Sequence, residues 1–336
     1  MGKHRLLFIV LILLLVVFFV ADIALGSVGI APDSLWQILQ NGREDNALSY
    51  IIWDIRLPKA IAAVLIGAGL SISGLLLQSL FRNPLAGPSV LGISSGAALG
   101  VALYVMAGGV GILSFGLLST GGMALFSILG SLMVLLAVMA VSLKVNNTVS
   151  LLIVGIMFGS VTASLVSVLQ YFSSADMVQH FIIWTFGSLG SMSWNELWLV
   201  LFVVGISALA ALYLIKPLNA MLLSDQYAES MGISVKKTRQ WIIIISSLIA
   251  GIITAFAGPI AFVGVAVPHL ARNLFRSVDH RVLVPAVLLL GAVLMLACDI
   301  ISQLPGTATS LPINSVTALF GAPVVIWIIL QNRNRG

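Results

Sequence analysis

The fold of this chain is decided by residues 56–96, RLPKAIAAVLIGAGLSISGLLLQSLFRNPLAGPSVLGISSG. The stretch begins with two bases, Arg56 and Lys59, and then runs through 22 uncharged residues, from Ala60 to Phe81. A helix of about 20 apolar residues spans the hydrocarbon core of a bilayer. The run ends at the sequence RNPLAGP, whose prolines break helical hydrogen bonding. The pattern predicts a membrane helix followed by a non-helical hinge at a membrane boundary.

The composition of the whole chain is typical of an integral membrane protein. The 336 residues are 60% hydrophobic and only 8% charged, and the mean hydropathy is +1.14, whereas a soluble domain carries about 25% charged residues. The net charge of +5 comes from scattered bases without a basic stripe, so it does not indicate nucleic-acid binding. The one cysteine, Cys298, excludes an internal disulfide and a Cys-based zinc site.

Apolar runs predict about ten transmembrane helices in one all-α domain covering residues 1–336. The N-terminal run resembles a signal peptide, but it is longer than a typical apolar signal core and has no small-residue cleavage site, so we predict a retained helix. Gly258 and Pro259 divide one long uncharged run into two short helices. The predicted helices span residues 6–25, 59–81, 90–107, 117–142, 150–171, 197–215, 241–257, 260–276, 282–301 and 313–331.

The positions of the charged residues support this topology through the positive-inside rule. With the N-terminus in the cytoplasm, 13 of the 16 Lys and Arg residues lie on the inner side. Only Arg43, Arg56 and Lys59 stay outside, and eight of the 11 acids lie at or near the outer face. The pattern predicts that both termini are cytoplasmic.

Motifs for catalysis and for ion coupling are missing from the sequence. There is no phosphate-binding G-x-x-x-x-G-K-[ST] loop, no H-E-x-x-H and no G-x-S-x-G. Proton-coupled pumps keep buried acids or histidines as a relay, but here Asp22 and Asp299 lie near predicted helix ends. An external energy source is therefore expected. A secondary transporter or channel is the second hypothesis, and a membrane enzyme, for which no clustered nucleophile or acid pair exists, is the third.

The largest inner loop, residues 216–240, contains a predicted helix of about seven residues. Ser224 can cap this helix, Asp225 suits its positive N-terminal dipole and Gly232 can end it. Its apolar side chains are spaced by four residues and form one stripe: Leu223, Tyr227 and Met231. Such a stripe fits a groove on a partner protein. The alternative is an amphipathic turn that lies on lipid headgroups or on the chain's own bundle.

Three other features leave their role open. Arg56 and Lys59, three residues apart, are either interfacial anchors or a positive docking point. The lone His269 at the inner boundary fits a structural hydrogen bond better than a substrate contact. Gly155 and Gly159 form a G-x-x-x-G pattern, for which packing inside the bundle is the default and a subunit interface is the alternative.

Taken together, these motifs resemble a known family, the membrane permeases of ABC importers for iron chelates (siderophores, haem) and cobalamin. The pattern R-N-P-L-A-x-P followed by L-G-I-S-x-G-A is highly specific for that family, as is F-V-G-x-x-x-P-H-x-x-R with D-H-R downstream. The strongest matching segments are RLPKAIAAVLIGAGLSISG, QSLFRNPLAGPSVLGISSGAALG, GPIAFVGVAVPHLARNLFRSVDHRVLVPA and PINSVTALFGAPVVIWIIL.

The resemblance implies a passive transport subunit in the bacterial cytoplasmic membrane rather than an enzyme. It implies a homodimer or pseudo-dimer with a central path, two cytoplasmic ATPase subunits that use ATP and Mg²⁺, and an external substrate-binding protein. No cofactor or metal is expected on this chain. The expected cargo is an iron-siderophore or haem, and cobalamin is the alternative within the same family.

The resemblance also assigns roles to residues by position. The loop 216–240 matches the segment that contacts the ATPase, with Leu223, Ser224, Asp225, Tyr227, Glu229, Met231 and Gly232 as coupling residues. Docking of the binding protein is expected at Arg56, Lys59 and Gln303. The residues expected to line the path or to carry the family motif are Gln78, Asn83, Pro84, Pro268, His269 and Arg272. Dimer packing is expected at Gly155 and Gly159.

Three positions depart from the family pattern. Ser310 stands where an acid is common, Asn314 replaces a glycine, and Gln303 stands where a further outer base is often found. These departures reduce the docking charge and weaken any transfer of substrate identity.

Overall fold

The computed structural model describes residues 2–26, 29–30, 32–107, 120–145, 147–190, 192–304 and 309–333. Over these ranges the chain is built from α-helices, two π-helical segments (Ile51–Arg56 and Leu103–Ala107) and a 3-10 turn (Pro88–Leu91). The α-helices, numbered α1 to α15, are Gly2–Ala24, Pro32–Asn41, Ala47–Tyr50, Leu57–Phe81, Ile93–Ala102, Thr120–Lys144, Thr148–Phe172, Ala175–Thr185, Trp194–Tyr213, Ile215–Leu223, Asp225–Ser230, Val235–Ala257, Val263–Phe275, His280–Ser302 and Ile313–Arg333.

Each of the ten predicted membrane helices has a counterpart in the structure, which confirms an all-helical membrane fold. The counterparts are α1, α4, α5, α6, α7, α9, α12, α13, α14 and α15. By length and composition, seven spans of the described chain are long and apolar enough to cross a bilayer. The helices α5 and α15 are shorter apolar segments, and α13 has 13 residues. The count of ten crossings and the cytoplasmic position of both termini stay predictions.

Helix α4 lies at the centre of the bundle because its small residues allow other backbones to approach. A Cβ added at Gly67 would collide with the carbonyl of Gly291 in α14, and one added at Gly74 would collide with the carbonyl of Gly264 in α13. Lipid tails are as apolar as leucine, so the hydrophobic effect does not drive helices together within a bilayer. Helices associate there through close packing of this kind instead. The close approaches at Gly67 and Gly74 are therefore packing inside the chain.

The break at Gly258 and Pro259 is confirmed. Helix α12 ends at Ala257, and Gly258 takes a φ of +75°, which favours glycine. The following helix starts only after Phe262, which has a φ of +67° although it carries a bulky side chain. The break thus separates a long helix, α12 with 23 residues, from the 13-residue α13, so only the second of the two predicted helices is short.

Short helices that the sequence did not predict include α8 and α10. Helix α8 forms in the Ser- and Trp-containing segment 172–196, for which no helix was predicted, and α10 precedes the predicted helix of the inner loop. Pro217 does not prevent α10, because it lies in the first turn, where a backbone N–H has no helical acceptor. Both helices are short, and tertiary contacts rather than periodicity stabilise them.

Candidate coupling and docking sites

The ends of α4 at Leu57 and Phe81 are called outer and inner after the predicted topology. The outer end joins a buried polar cluster. Lys59 Nζ lies 3.1 Å from Asp299 Oδ2 of α14. The Gln303 Nε2 amide donates to Asp22 Oδ1 and to Asp299 Oδ2, each at 2.9 Å, so that one nitrogen bridges two carboxylates. Asp22 is 2% exposed and Asp299 is 1% exposed. Buried carboxylates persist only where bases and hydrogen bonds compensate their desolvation.

Arg56 is buried beside this cluster and caps α1. Its Nη1 donates to the carbonyl oxygens of Ile23 at 2.8 Å and Ala24 at 2.9 Å. The last carbonyls of a helix have no partner within the helix, and the C-terminal end of the helix dipole favours a positive charge. The guanidinium therefore stabilises the end of α1 directly.

The three residues predicted to dock the binding protein come together in the structure, but they face the interior of the chain. Arg56 is 7% exposed, and Lys59, at 19%, keeps only a small part of its side chain at the surface. Asp22 and Asp299 do lie near helix ends, and they are the internal partners of this cluster rather than a free relay. The docking role of these residues stays a prediction.

At the inner end of α4, the hinge is a tight turn built on Asn83. The carbonyl oxygen of Asn83 accepts from the Ala86 amide at 3.1 Å, and its side-chain Oδ1 accepts from the Leu85 amide at 2.9 Å. Asparagine at the first position and Pro84 at the second are the residues that such a turn favours. The family motif alone gives no reason for Asn83, and this turn supplies one.

Arg82 connects the hinge to the inner loop. It takes a left-handed φ of 47° at the end of α4, and its Nη2 donates to the carbonyl oxygen of Met221 at 3.0 Å and to Asp225 Oδ1 at 2.8 Å. The side chains of Arg82 and Asp225 are 56% and 44% exposed. One guanidinium therefore bridges the end of α10 and the start of α11.

The local prediction for the inner-loop helix is confirmed. Ser224 Oγ accepts from the Tyr227 amide at 2.9 Å and caps α11, and Gly232 follows with a φ of +78°. The apolar side chains of the predicted stripe are all exposed: Leu223 by 69%, Tyr227 by 45% and Met231 by 59%.

The stripe is wrong as a single helix face. Ser224 is extended, with φ −168° and ψ 163°, so Leu223 ends α10, and α11 begins at Asp225 and ends at Ser230. Leu223 therefore lies at the end of α10, Tyr227 lies on α11, and Met231 follows the last residue of α11. Glu229 is exposed on α11 as well. Contact of these residues with an ATPase stays a prediction.

A second set of contacts joins the inner loop to the bundle. Asn219 of α10 donates from Nδ2 to Asp279 Oδ1 at 2.6 Å, and its Oδ1 accepts from the His280 backbone amide at 2.9 Å. The His280 Nδ1 lies 2.8 Å from the same Oδ1, and the Nε2 lies 2.7 Å from Ser79 Oγ of α4. Sequence reasoning missed Asn219 and Ser79, because no spacing relates two residues that only the fold brings together.

Two of the predicted path residues contact each other. The Gln78 Nε2 amide donates to the carbonyl oxygen of Val265 at 3.0 Å, and Arg272 Nη1 donates to Gln78 Oε1. Gln78 is 3% exposed, so in this conformation it braces α4 against α13. Pro268 is buried inside α13, and the Nε2 atom of His269 is buried with no hydrogen-bond partner among the described residues. Their role in a path stays a prediction.

The G-x-x-x-G pattern of α7 packs inside the chain at Gly155. A Cβ added there would lie 2.7 Å from the carbonyl oxygen of Val90 and 2.9 Å from the Cα of Leu91, whereas one added at Gly159 would lie no closer than 3.5 Å to Ser95 Oγ. The close approach at Gly155 is therefore internal packing, and a role of Gly155 and Gly159 in dimer packing stays a prediction.

A cavity of about 280 Å³ lies beneath α8. Its lining is mainly apolar, with a few polar side chains from α8, α9 and the loop between them: His180, Ser188 and Glu196. In the described part of the chain, no three His, Cys, Asp or Glu side chains are grouped so as to hold a metal ion.

Comparison with protein families decides which family these features belong to. The model of the FecCD transport family matches residues 13–331. The chain belongs to the FecCD transport family. FecCD permeases are transport subunits of ABC importers in the bacterial inner membrane, and so is this chain. It moves a substrate and is not itself an enzyme.

Individual relatives of this FecCD permease carry more specific names. It is 36% identical over 285 residues to the vitamin B12 import system permease protein BtuC of Klebsiella pneumoniae subsp. pneumoniae, covering 85% of this chain and 84% of the relative. BtuC of Escherichia coli O9:H4 (strain HS) is 35% identical over 282 residues, covering 84% of each chain. A solved inward-facing structure of a metal-chelate type ABC transporter has a TM-score of 0.85 and 28% identity, covering 97% of this chain and 99% of that one.

Proposed function

We propose that this FecCD permease imports cobalamin. The supporting observation is the identity of 36% to a vitamin B12 import permease across 85% of the chain. This substrate replaces the iron-siderophore or haem expected from the family motifs, because the relatives that match over this length carry the vitamin B12 name. The solved metal-chelate transporter is consistent with a metal-containing cargo of this kind.

We propose that two ATPase subunits bind the inner loop and that a second copy of this chain completes the membrane part. The chain has no phosphate-binding loop of its own, so nucleotide chemistry must come from other subunits. The exposed side chains of Tyr227 on α11 and of Met231 at its C-terminal end are supporting observations, because large apolar side chains on a short solvent-exposed segment fit a groove on a partner.

We propose that the binding protein docks on the outer end, where the chain presents negative charge. Arg56 is engaged with the carbonyl oxygens at the end of α1, and Lys59 is engaged with Asp299. The remaining charged residues of the outer segments are Arg43 and six acids: Asp33, Glu44, Asp45, Asp54, Asp176 and Glu196. Charge complementarity therefore favours basic side chains on the docking face of the binding protein.

Uptake in liposomes tests the substrate. The permease, its ATPase subunits and the binding protein are reconstituted, and accumulation of radiolabelled cyanocobalamin is followed with ATP present. We expect ATP-dependent accumulation that excess unlabelled cobalamin abolishes and that haem and a ferric siderophore do not. Competition by haem or the siderophore, without competition by cobalamin, would replace the proposed cargo. Uptake by the permease alone under an ion gradient would reject the ATP-driven mechanism and favour a secondary transporter.

A further inference from the structure

The inner loop is joined to the bundle by two links of different strength. The link through Arg82 and Asp225 is an exposed ion pair, of the kind that contributes about 0–1 kcal/mol. The link through Asn219 ends on His280, which is 1% exposed. The loop therefore has one contact that exchanges easily with solvent or a partner and one that is held inside the protein.

The side-chain amide of Asn219 acts as both a hydrogen-bond donor and an acceptor. Its nitrogen donates to Asp279, and its oxygen accepts from the backbone amide of His280 and lies at hydrogen-bond distance from the His280 ring. Burial alone would raise the pKa of Asp279, but hydrogen bonds from the Arg281 amide and from Asn219, with the charge of Arg281, hold that pKa below its usual value. Asp279 is therefore a charged acceptor at neutral pH, and such hydrogen bonds are the stronger ones.

His280 extends this connection to α4. A neutral imidazole that donates from Nδ1 to Asn219 is left with Nε2 as an acceptor for the Ser79 hydroxyl at 2.7 Å. The Leu75 carbonyl oxygen, 2.8 Å from the same hydroxyl, competes for its single proton. The tautomer is assigned from these partners. A continuous chain of hydrogen bonds thus crosses three helices, α10, α14 and α4.

Helices α4 and α14 remain joined along their length beyond this point. Gly67 and Gly291 bring their backbones together near the middle, and Lys59 pairs with Asp299 at the outer end. The two helices are therefore held together from the inner loop to the outer end. A movement of the inner loop that reaches them should move both helices together.

We propose that Asn219 is a positioning residue for energy coupling, which fixes α10 to α14 and α4 through His280 and Ser79 while α11 pivots at Ser224. Binding of an ATPase subunit to α11 breaks the weak Arg82–Asp225 pair and moves the inner loop. The hydrogen bonds of Asn219 transmit this movement of the loop to the membrane helices α14 and α4. This inference rests on the proposed ATP-driven import.

Variants at the two ends of the bridge test the proposal in the reconstituted importer. Asn219→Ala and Ser79→Ala are compared with wild type and with Ser79→Thr, which keeps the hydroxyl. The readouts are the stimulation of ATP hydrolysis by the binding protein and the cyanocobalamin transported per ATP hydrolysed. We expect both alanine variants to lower these ratios by about fivefold or more, with unchanged basal hydrolysis. Ser79→Thr should match wild type.

Several outcomes would overturn the proposal. Wild-type ratios in both alanine variants would show that the bridge does not couple the loop to the bundle. A smaller amount of assembled complex with a normal ratio per complex would show a merely structural role. If Asn219→Ala does not assemble, Ser79→Ala decides, and normal coupling in it rejects the bridge.

Failure of the proposed substrate has a different signature. The wild-type importer would then hydrolyse ATP in response to the binding protein without accumulating cyanocobalamin. The stimulation of hydrolysis would still be measurable in the variants, so the bridge is tested in that case as well.

Discussion

The two ends of α4 are held by opposite kinds of contact. At the outer end, Lys59 pairs with the buried Asp299, and Gln303 bridges that carboxylate to Asp22. At the inner end, Arg82 forms an ion pair of which both members are about half exposed. A buried ion pair is costly to break, whereas an exposed one is easily exchanged. The outer end of α4 is therefore fixed by buried charges of the same chain, whereas the exposed Arg82 at the inner end can exchange its partner.

The largest effect is expected when the outer ion pair is broken. Lys59→Met should lower the free energy of unfolding by about 3–5 kcal/mol, because Asp299 would stay buried without its positive partner. Unfolding of the purified protein in detergent measures this loss. Arg43→Met, which removes a pair whose base is 67% exposed, is the matched control and should cost less than about 1 kcal/mol. Equal losses in the two variants would contradict the comparison.

A double variant tests whether the unpaired charge of Asp299 causes the loss of stability. The double substitution of Lys59→Met and Asp299→Leu removes both charges, so it should recover most of the stability lost in Lys59→Met. No recovery would mean that the loss of the hydrogen bond from Gln303 to Asp299 outweighs the removal of the unpaired charge.

The next effect concerns the inner loop as a docking surface. Tyr227→Ala combined with Met231→Ala should weaken binding of the ATPase subunits by about tenfold or more, because large side chains at the centre of an interface carry most of its binding energy. The stability of the permease should not change, since both side chains are exposed. Affinity is measured by titrating labelled ATPase subunits onto permease in nanodiscs. Lys236→Ala, another exposed change in this loop, is the control, and equal affinities in all three proteins would reject the docking role.

A smaller effect is expected at the hinge. Asn83→Ala removes the acceptor for the Leu85 amide and should cost about 1 kcal/mol of unfolding free energy. Asn83→Asp keeps an acceptor oxygen in the same place and should stay close to wild type. A loss in Asn83→Asp as large as that in Asn83→Ala would show that the turn is not the reason for this residue.

The smallest effect is expected for the exposed pair of the inner end. A double-mutant cycle with Arg82→Ala and Asp225→Ala should give a coupling energy of about 0.2–1 kcal/mol. It should vanish in about 1 M salt, where the screening length falls to about 3 Å. A coupling energy as large as that of Lys59 and Asp299 would show that the two ends of α4 are held with equal strength.

The long helices and the local caps could be predicted from the sequence, because both depend on neighbouring residues. The run from Ala60 to Phe81 specifies α4 by its length and apolarity, and Ser224 caps α11 through an amide only three residues away. Short helices were harder to predict. Helix α8 has too few residues for a periodic signal, and the extended Ser224 divides a stripe whose spacing alone fits one helix.

Contacts between distant parts of the chain could not be predicted. The sequence places Arg56 and Lys59 at the outer boundary, but only the fold shows that Ile23, Ala24 and Asp299 occupy them. The direction in which a long basic side chain points depends on the partners that tertiary packing supplies, which leave no trace in local spacing. The same holds for Asn219, whose three contacts all come from residues near the start of α14.

The size of the cavity beneath α8 bears on where a large cargo can travel. Sites that enclose a drug-sized molecule occupy about 300–1,000 Å³, and this cavity measures about 280 Å³. A corrinoid is larger than a typical drug, so this cavity is too small to enclose it. Under the proposed function, the space for cobalamin belongs to the assembled pair of permeases, with each copy contributing one wall. Selection among cargoes then depends on the distance and registration of two identical surfaces, so substitutions at the contact between copies can change the size of the passage without touching the substrate.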